Sequence, residues 1–252
     1  MRTITFDGTS INSGNYIVKN IKHDSVTDRD LFMYELTREG GANLVSTYYQ
    51  PKKIILEGII KGTTVDDLET NVDTFKQLLS GKDKILDIEY ASGTRRYIAT
   101  ARVVQIERDY YNLTYIPFSV EFSIPTGFGR DTVTTSYQTT SIMVHTLEDS
   151  SLNILGTVIP KYNIEIEFAS ATNVSEVSLT INGDKITVAE SIAYGQTLII
   201  DAENKKVTID GTEADYTGLF PRLQLGYNFY KIVTNSTSHS YHVTINYIKK
   251  YL

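Results

Sequence analysis

Much of this sequence alternates apolar and polar residues with a period of two, a pattern typical of strands that bury one face and expose the other. In the second half, Ile164, Ile166 and Phe168 alternate with Glu165 and Glu167. Short alternating segments recur there between turn signals, and no helical period accompanies them. This spacing predicts an antiparallel β-sandwich.

Turn residues in the second half predict how its strands connect. The alternating segment 177–181 leads directly into Asn182-Gly183. Asn-Gly is the strongest short signal for a two-residue hairpin, because both of its residues tolerate a positive φ. Residues 197–201 and 206–210 are likewise predicted to pair across a polar turn.

One segment of the first half has a helical period, and it predicts a single helix over residues 64–80. Its apolar residues recur at steps of three and four: Val65, Leu68, Val72, Phe75 and Leu79. Thr64 is a good N-cap, and acidic residues follow it where the helix dipole favours negative charge. Gly81 is placed to end the helix.

The rest of the first half predicts strands, among them a hairpin of residues 31–36 and 43–49 around Gly40-Gly41. This hairpin carries too much apolar surface for an exposed element. Either both of its faces are buried within the domain, or a neighbouring subunit covers one of them. The residues concerned are Leu31, Phe32, Met33, Tyr34, Leu36, Val45, Tyr48 and Tyr49.

The length of 252 residues is compatible with two domains or one large β domain. A segment rich in Thr and Ser with weak periodicity follows residue 130. We therefore predict a mainly β protein with an N-terminal β-rich domain over 1–135, a linker over 136–160 and a C-terminal sandwich over 161–252.

Composition excludes several classes of protein. Cysteine is absent, so the chain has no disulfide framework, thiolate metal site or cysteine nucleophile. The net charge of -6 argues against a protein that grips a phosphate backbone. The sequence shows no signal-peptide pattern and no membrane-spanning apolar run, so we expect synthesis in a cytoplasm without membrane insertion.

No set of residues predicts catalysis, a cofactor or a metal. Asp87 and Glu89 share a strand face, which is more typical of a solvated surface than of a catalytic acid pair. The sequence lacks both a phosphate-binding loop and a nucleophile elbow. The arginines at 95, 96 and 102 favour protein contacts or ion pairs. The four histidines are scattered, at His23, His145, His239 and His242.

The order of these elements resembles the distal tail (Dit) protein family of siphophages. In the first half the resemblance is carried by residues 49–62, 66–69, 75–79 and 95–99. In the second half it is carried by Gly195–Gly211 and Phe220–Asn228, which resemble the family's galectin-like C-terminal domain.

The resemblance implies a structural role in the virion, at the tip of the tail. Distal tail proteins form a homo-hexameric ring that joins the tail tube protein to the tail-associated hub protein. Their N-terminal domains have a tail-tube-like fold and make the ring, so the hairpin of residues 31–49 becomes a subunit interface. DNA passes through the lumen without specific binding, which an acidic chain suits. The galectin-like domains attach receptor-binding proteins in some phages.

The alternative is a carbohydrate-binding adhesin that uses the C-terminal sandwich. Sugar sites often stack a Trp on the sugar ring, and this chain has no Trp and 18 Tyr. Tyr216, Tyr227 and Tyr230 are the candidates for glycan contact, although core or interface packing competes with that role.

Overall fold

The computed structural model describes residues 2–23, 29–35, 42–107, 114–139, 145–169, 173–235 and 240–252, with the backbone alone for 29–35 and 42–48. The chain divides into two compact units, Met1–Thr132 with Leu252 and Val133–Tyr251. Each unit has its own buried apolar cluster. Strands dominate both units, as the alternation predicts.

The N-terminal unit combines ten described strands with one helix. They are β1 (Ile4–Phe6), β2 (Thr9–Ser10), β3 (Tyr16–His23), β4 (Arg29–Glu35), β5 (Ala42–Tyr49), β6 (Lys52–Lys61), α1 (Val65–Leu78), β7 (Lys84–Tyr90), β8 (Gly93–Ile106), β9 (Tyr115–Ile124) and β10 (Gly129–Asp131).

The long strand β8 connects two antiparallel groups of strands in this unit. Along the sheet the order is β2-β1-β7-β8-β9-β6-β3, and β10 lies beside the first half of β8. The first half of β8 pairs with β7 and the second half with β9. Every other residue of β6 is buried, because successive strand residues point to opposite faces of the sheet.

Helix α1 packs on this sheet through the face that its sequence predicts. The Thr64 hydroxyl accepts the Asp67 N–H at 3.2 Å, which confirms the predicted N-cap. Phe75 is fully buried, with its ring centroid 5.1 Å from that of Tyr16 and 4.7 Å from that of Phe118. Val65 was expected on the same face but is 43% exposed, because it is the first helical residue and lies before the buried turns.

Strands β4 and β5 form a two-stranded antiparallel sheet of their own. Their register runs from Arg29 opposite Tyr49 to Glu35 opposite Ala42, with an irregularity between Phe32 and Met33. This confirms that the two predicted segments pair as a hairpin. The predicted turn at Gly40-Gly41 lies outside the described residues.

The C-terminal unit is built from strands alone within its described residues. They are β11 (Thr135–Gln138), β12 (Thr146–Ile154), β13 (Tyr162–Phe168), β14 (Val177–Ile181), β15 (Asp184–Val188), β16 (Thr197–Asp201), β17 (Lys206–Ile209), β18 (Thr212–Glu213), β19 (Tyr216–Gly218), β20 (Gly226–Thr234), β21 (Tyr241–Tyr247) and β22 (Lys250–Tyr251).

Two antiparallel sheets enclose one core in this unit, which makes it the predicted sandwich. One sheet has the order β11-β21-β13-β16-β17-β18 and the other β12-β20-β14-β15-β19. Asn182 and Gly183 both have positive φ, at 49° and 96°, and they close the predicted β14–β15 hairpin. The predicted pairing of 197–201 with the segment after it is also present, as β16 and β17.

The described parts of the segment predicted as a linker, 136–139 and 145–160, instead belong to the C-terminal unit. Strand β11 pairs with β21 in one sheet, and β12 pairs with β20 in the other. The Tyr137 hydroxyl donates to Asp149 Oδ2 at 2.5 Å, which joins the two strands. These Thr- and Ser-rich strands lie at sheet edges, where few apolar residues are needed, and they therefore lack the alternation of the core strands.

Candidate functional site

The predicted subunit-interface residues lie mostly on the β4–β5 hairpin. Seven of the eight belong to its described strands, and Leu36 lies outside the described residues. Only Tyr49, at the end of β5, has a described side chain. Its ring centroid is 6.4 Å from that of Phe128. The interface role of this hairpin remains a prediction.

A second surface in the N-terminal unit lies along the last part of β8. Residues Arg102–Gln105 are consecutive and exposed, although strand residues normally alternate between the two faces. Val103 and Val104 are 41% and 39% exposed. Only β9 pairs with this part of β8, and its other edge is open as far as the described strands show.

The structure does not bring the three candidate glycan-contact tyrosines together. Tyr230 is fully buried, and its hydroxyl donates to Asp149 Oδ2 at 3.4 Å, so it has no surface to offer a sugar. Burial is also the main reason that its pKa is raised. Tyr216 and Tyr227 are 40% and 74% exposed, but β14 and β15 separate their strands. Three strand spacings put them about 14 Å apart across the sheet, too far for one sugar ring.

Tyr216 instead belongs to a surface groove of about 680 Å³ in the C-terminal unit, which we call the β19 groove. Its apolar lining comes from Tyr216 itself, from the segment after β19 and from the residues before β13. The members with the most exposed side chains are Leu219 at 68% and Ile159 at 53%. The rings of Tyr216 and Phe220 meet edge to face, with centroids 5.1 Å apart.

Charged side chains surround this apolar floor, and three of them are cationic: Lys161, Lys205 and Arg222. Arg222 Nε donates to Asp184 Oδ2 at 3.0 Å, which raises the pKa of the arginine. Lys161 Nζ lies 3.4 Å from Glu203 Oε1. Lys205 makes no ion pair with any described residue and is exposed. The groove therefore combines an apolar floor with two ion pairs and one further cation, Lys205, at its rim.

Buried polar side chains fix the segment between β19 and β20 that forms one wall of the groove. The buried Tyr162 hydroxyl donates to the carbonyl of Pro221, and burial raises the pKa of this tyrosine. Asn228 is only 1% exposed, and its amide makes four hydrogen bonds of 2.7 to 2.9 Å, three of them to Gln224 and Gly226 backbone groups and one to Asn182. The wall is thus held in one conformation without any regular strand.

Sequence reasoning missed this groove for a physical reason. The apolar residues from Leu219 onward predict one strand that continues to Val233, whereas the regular strand begins only at Gly226. Pro221 has no N–H to donate to a ladder, which is the signal that separates this segment from β20.

The polar groups weighed as catalytic candidates are engaged in structural contacts. Asp87 accepts two hydrogen bonds from Arg96, at 2.8 and 2.9 Å, and Glu89 accepts the Thr3 N–H at 2.8 Å. Arg95 lies over the ring of Tyr90, with its guanidinium carbon 4.8 Å from the ring centroid. The contacts and ion pairs predicted for these arginines are therefore present, whereas Asp87, predicted on a solvated face, is instead paired with Arg96.

The histidines do not assemble a metal site in the described part of the chain. His23 Nε2 lies 2.9 Å from the Tyr90 hydroxyl, His145 is exposed, and His242 lies on β21. His239 is outside the described residues. Within the described ranges no group of His, Cys, Asp or Glu is arranged to hold a metal ion. No helix in those ranges is long and apolar enough to span a membrane.

Comparison with known proteins shows which family and which structures this chain is similar to. Residues 155–251 match the family model of the C-terminal domain of siphovirus-type tail components. The crystal structure of the Dit protein of phage SPP1 matches with a TM-score of 0.70 and 13% identity, and the match covers 100% of both chains. No curated protein sequence matches the chain.

Two structures of the phage P2 baseplate in its activated conformation, with Ca and with Sr, also match. Each has a TM-score of 0.41 and 10% identity, over 99% and 97% of this chain and 98% of theirs. A TM-score below 0.5 does not establish a shared fold.

By its fold and by the family match, the chain is similar to components of siphovirus-type tails. The C-terminal unit matches the C-terminal domain of that family over residues 155–251, and the chain as a whole has the fold of SPP1 Dit. The predicted resemblance to siphophage distal tail proteins and the predicted mainly β fold are therefore confirmed. These relatives are structural tail proteins and not enzymes, in agreement with the prediction that the chain has no catalytic role.

Proposed function

We propose that this chain is a distal tail protein that forms a homo-hexameric ring at the tip of a siphophage tail. One face of the ring docks on the tail tube protein, and the other receives the tail-associated hub protein. The C-terminal sandwiches attach host-adhesion components, including receptor-binding proteins. DNA passes through the lumen without specific binding.

The observation that carries the proposal is the fold likeness over the full length of both chains. SPP1 Dit is described as a paradigm of the hub of the adsorption apparatus in phages that infect Gram-positive bacteria. The likeness covers 100% of each chain, so it includes the N-terminal unit as well as the sandwich. A free-standing adhesin needs only a sandwich, whereas the likeness extends over the N-terminal unit as well.

The β4–β5 hairpin supports assembly on physical grounds. Its two strands pair only with each other among the described strands. An isolated two-stranded hairpin is marginally stable in water. A hairpin whose sequence is as apolar as residues 31–34 and 44–49 gains most from a covering surface, and a neighbouring subunit provides one.

The open edge of β8 supports the same conclusion independently. An exposed strand edge presents unpaired N–H and C=O groups to other chains. Val103 and Val104 add apolar surface on both sides of that edge. In a closed ring each subunit covers such an edge with its neighbour, and no edge remains open.

Point variants of the hairpin test the proposal. We expect Phe32→Asp and Tyr34→Asp to shift the mass measured by light scattering from hexamer to monomer, because a charge is costly to bury in an apolar interface. Tyr227→Asp, at a 74% exposed site in the sandwich, is the control and leaves the hexamer intact. Unchanged mass in both hairpin variants would remove the hairpin from the interface.

The adhesin alternative has less support. With Tyr230 buried and the other two candidate tyrosines on separate strands, these three residues do not form a surface for stacking on a sugar ring. Binding of the chain to a glycan array at millimolar affinity or better would restore that alternative.

A further inference from the structure

The β19 groove has the features of a binding site for an extended polypeptide. Its volume of about 680 Å³ is in the range of sites that hold a ligand. Leu219 and Ile159 leave 68% and 53% of their surfaces exposed there. Such aliphatic groups offer nothing to sugar hydroxyls, but they suit the apolar side chains of a peptide.

The backbone beside the groove is open to strand addition. Strand β19 ends its sheet, and among the described strands only β15 pairs with it. The Leu219 N–H donates to the Lys185 carbonyl at 2.9 Å. In an antiparallel ladder hydrogen-bonded pairs alternate, so Thr217 also faces β15 while the N–H and C=O groups of Tyr216 and Gly218 point away from it.

At Gly218 this edge lies close to β15, and only a glycine fits at that position. Its φ is +97°, and a Cβ there would lie 2.3 Å from the Lys185 carbonyl oxygen. Both Tyr216 and Gly218, whose backbones point outward, line the groove, whereas Thr217 does not. The free edge and the apolar floor therefore face the same space.

The charges at the rim specify the partner. Two of the three lining cations are paired, Lys161 with Glu203 and Arg222 with Asp184, so Lys205 supplies the local positive charge in a chain whose net charge is -6. Lys205 has no ion pair among the described residues. A carboxylate on the ligand complements this local excess, and complementary charge favours one class of partner over others.

We propose that the β19 groove binds an extended segment of a partner protein, with apolar side chains flanked by a carboxylate, which adds as a strand to the open edge of β19. Main-chain hydrogen bonds supply affinity in this mode, and side-chain pockets supply selectivity. The proposal concerns the sandwich alone and does not depend on the ring.

Selection of peptides on the full chain tests it. The probe is a displayed library of random peptides, each long enough for a strand of about 5–6 residues. We expect enriched peptides to alternate apolar residues and to share an Asp or Glu. Enrichment of basic or purely polar sequences, or no enrichment at all, would overturn the proposal.

Matched variants locate the binding. For a selected peptide, Leu219→Asp is expected to weaken binding about tenfold or more, since it removes a central apolar contact. Lys205→Glu is expected to weaken it roughly fivefold. The controls are Tyr194→Asp, at a 65% exposed site outside the groove, and Lys206→Glu, an exposed neighbour. Equal losses in variants and controls would overturn the site.

Amide hydrogen exchange distinguishes strand addition from simple side-chain docking. Bound peptide is expected to slow exchange at Tyr216 and Gly218, because their N–H groups gain partners. Binding without slower exchange at these two residues would contradict addition to β19.

Discussion

Replacing Phe75 by alanine tests whether helix α1 packs on the sheet as the structure shows. Phe75 is 0% exposed and lies between the rings of Tyr16 and Phe118. Truncation of a buried Phe costs about 3–5 kcal/mol, from lost transfer free energy and the cavity left behind. This is a large fraction of the roughly 5–15 kcal/mol by which a typical domain is stable. The melting temperature of the N-terminal unit is expected to fall by roughly 10–20 °C.

Differential scanning calorimetry of the wild type, Phe75→Ala and Val65→Ala provides the measurement. Val65 is in the same helix but 43% exposed, so its truncation is expected to change stability by less than about 1 kcal/mol. A Phe75→Ala transition within about 1 kcal/mol of the Val65→Ala transition would refute the packing of α1 on the sheet.

Three further predictions concern individual polar groups and one glycine. Burial by itself would raise the pKa of Asp149, but the hydrogen bonds from Tyr137, Ser151 and Tyr230 together lower it. The lowered pKa stabilises the folded state above the unfolded pKa of about 3.9, and this stabilisation is lost as the pH falls through the folded pKa. Asp149→Asn is therefore expected to flatten the acid side of the curve of melting temperature against pH. An unchanged curve would contradict this prediction. Asn228→Ala leaves buried partners without hydrogen bonds and is expected to cost about 1–3 kcal/mol in thermal unfolding, whereas a neutral result would show that the wall of the β19 groove is held otherwise. Gly58→Ala places a Cβ 2.2 Å from the Ile17 carbonyl oxygen and is expected to cost about 1–3 kcal/mol, and equal stability would contradict this close approach.

Local patterns predicted the elements whose burial repeats along the chain. Alternation located β13 because each inward residue, such as Ile164, meets the same core. The three- and four-residue period located α1, and Asn182-Gly183 located a hairpin, because in both cases the chemistry is local.

Features that depend on distant partners could not be predicted this way. The segment predicted as a linker contains two edge strands, which the Tyr137–Asp149 hydrogen bond joins. No residue near Tyr137 in the sequence indicates that Asp149 is its partner. Tyr227 and Tyr230 are the same residue type on the same strand, so composition does not separate them. Tyr230 is buried and Tyr227 is 74% exposed because their side chains point to opposite faces of β20. The groove beside β19 arises where residues near Ile159 and Leu219 meet, and these are far apart in the chain.

The mass of the purified chain in solution tests the central claim most directly. Native mass spectrometry or light scattering over a range of concentrations is expected to show a species near 170 kDa, which is about 6 × 28.4 kDa. A species of 28.4 kDa at every concentration would contradict a ring that the chain assembles by itself.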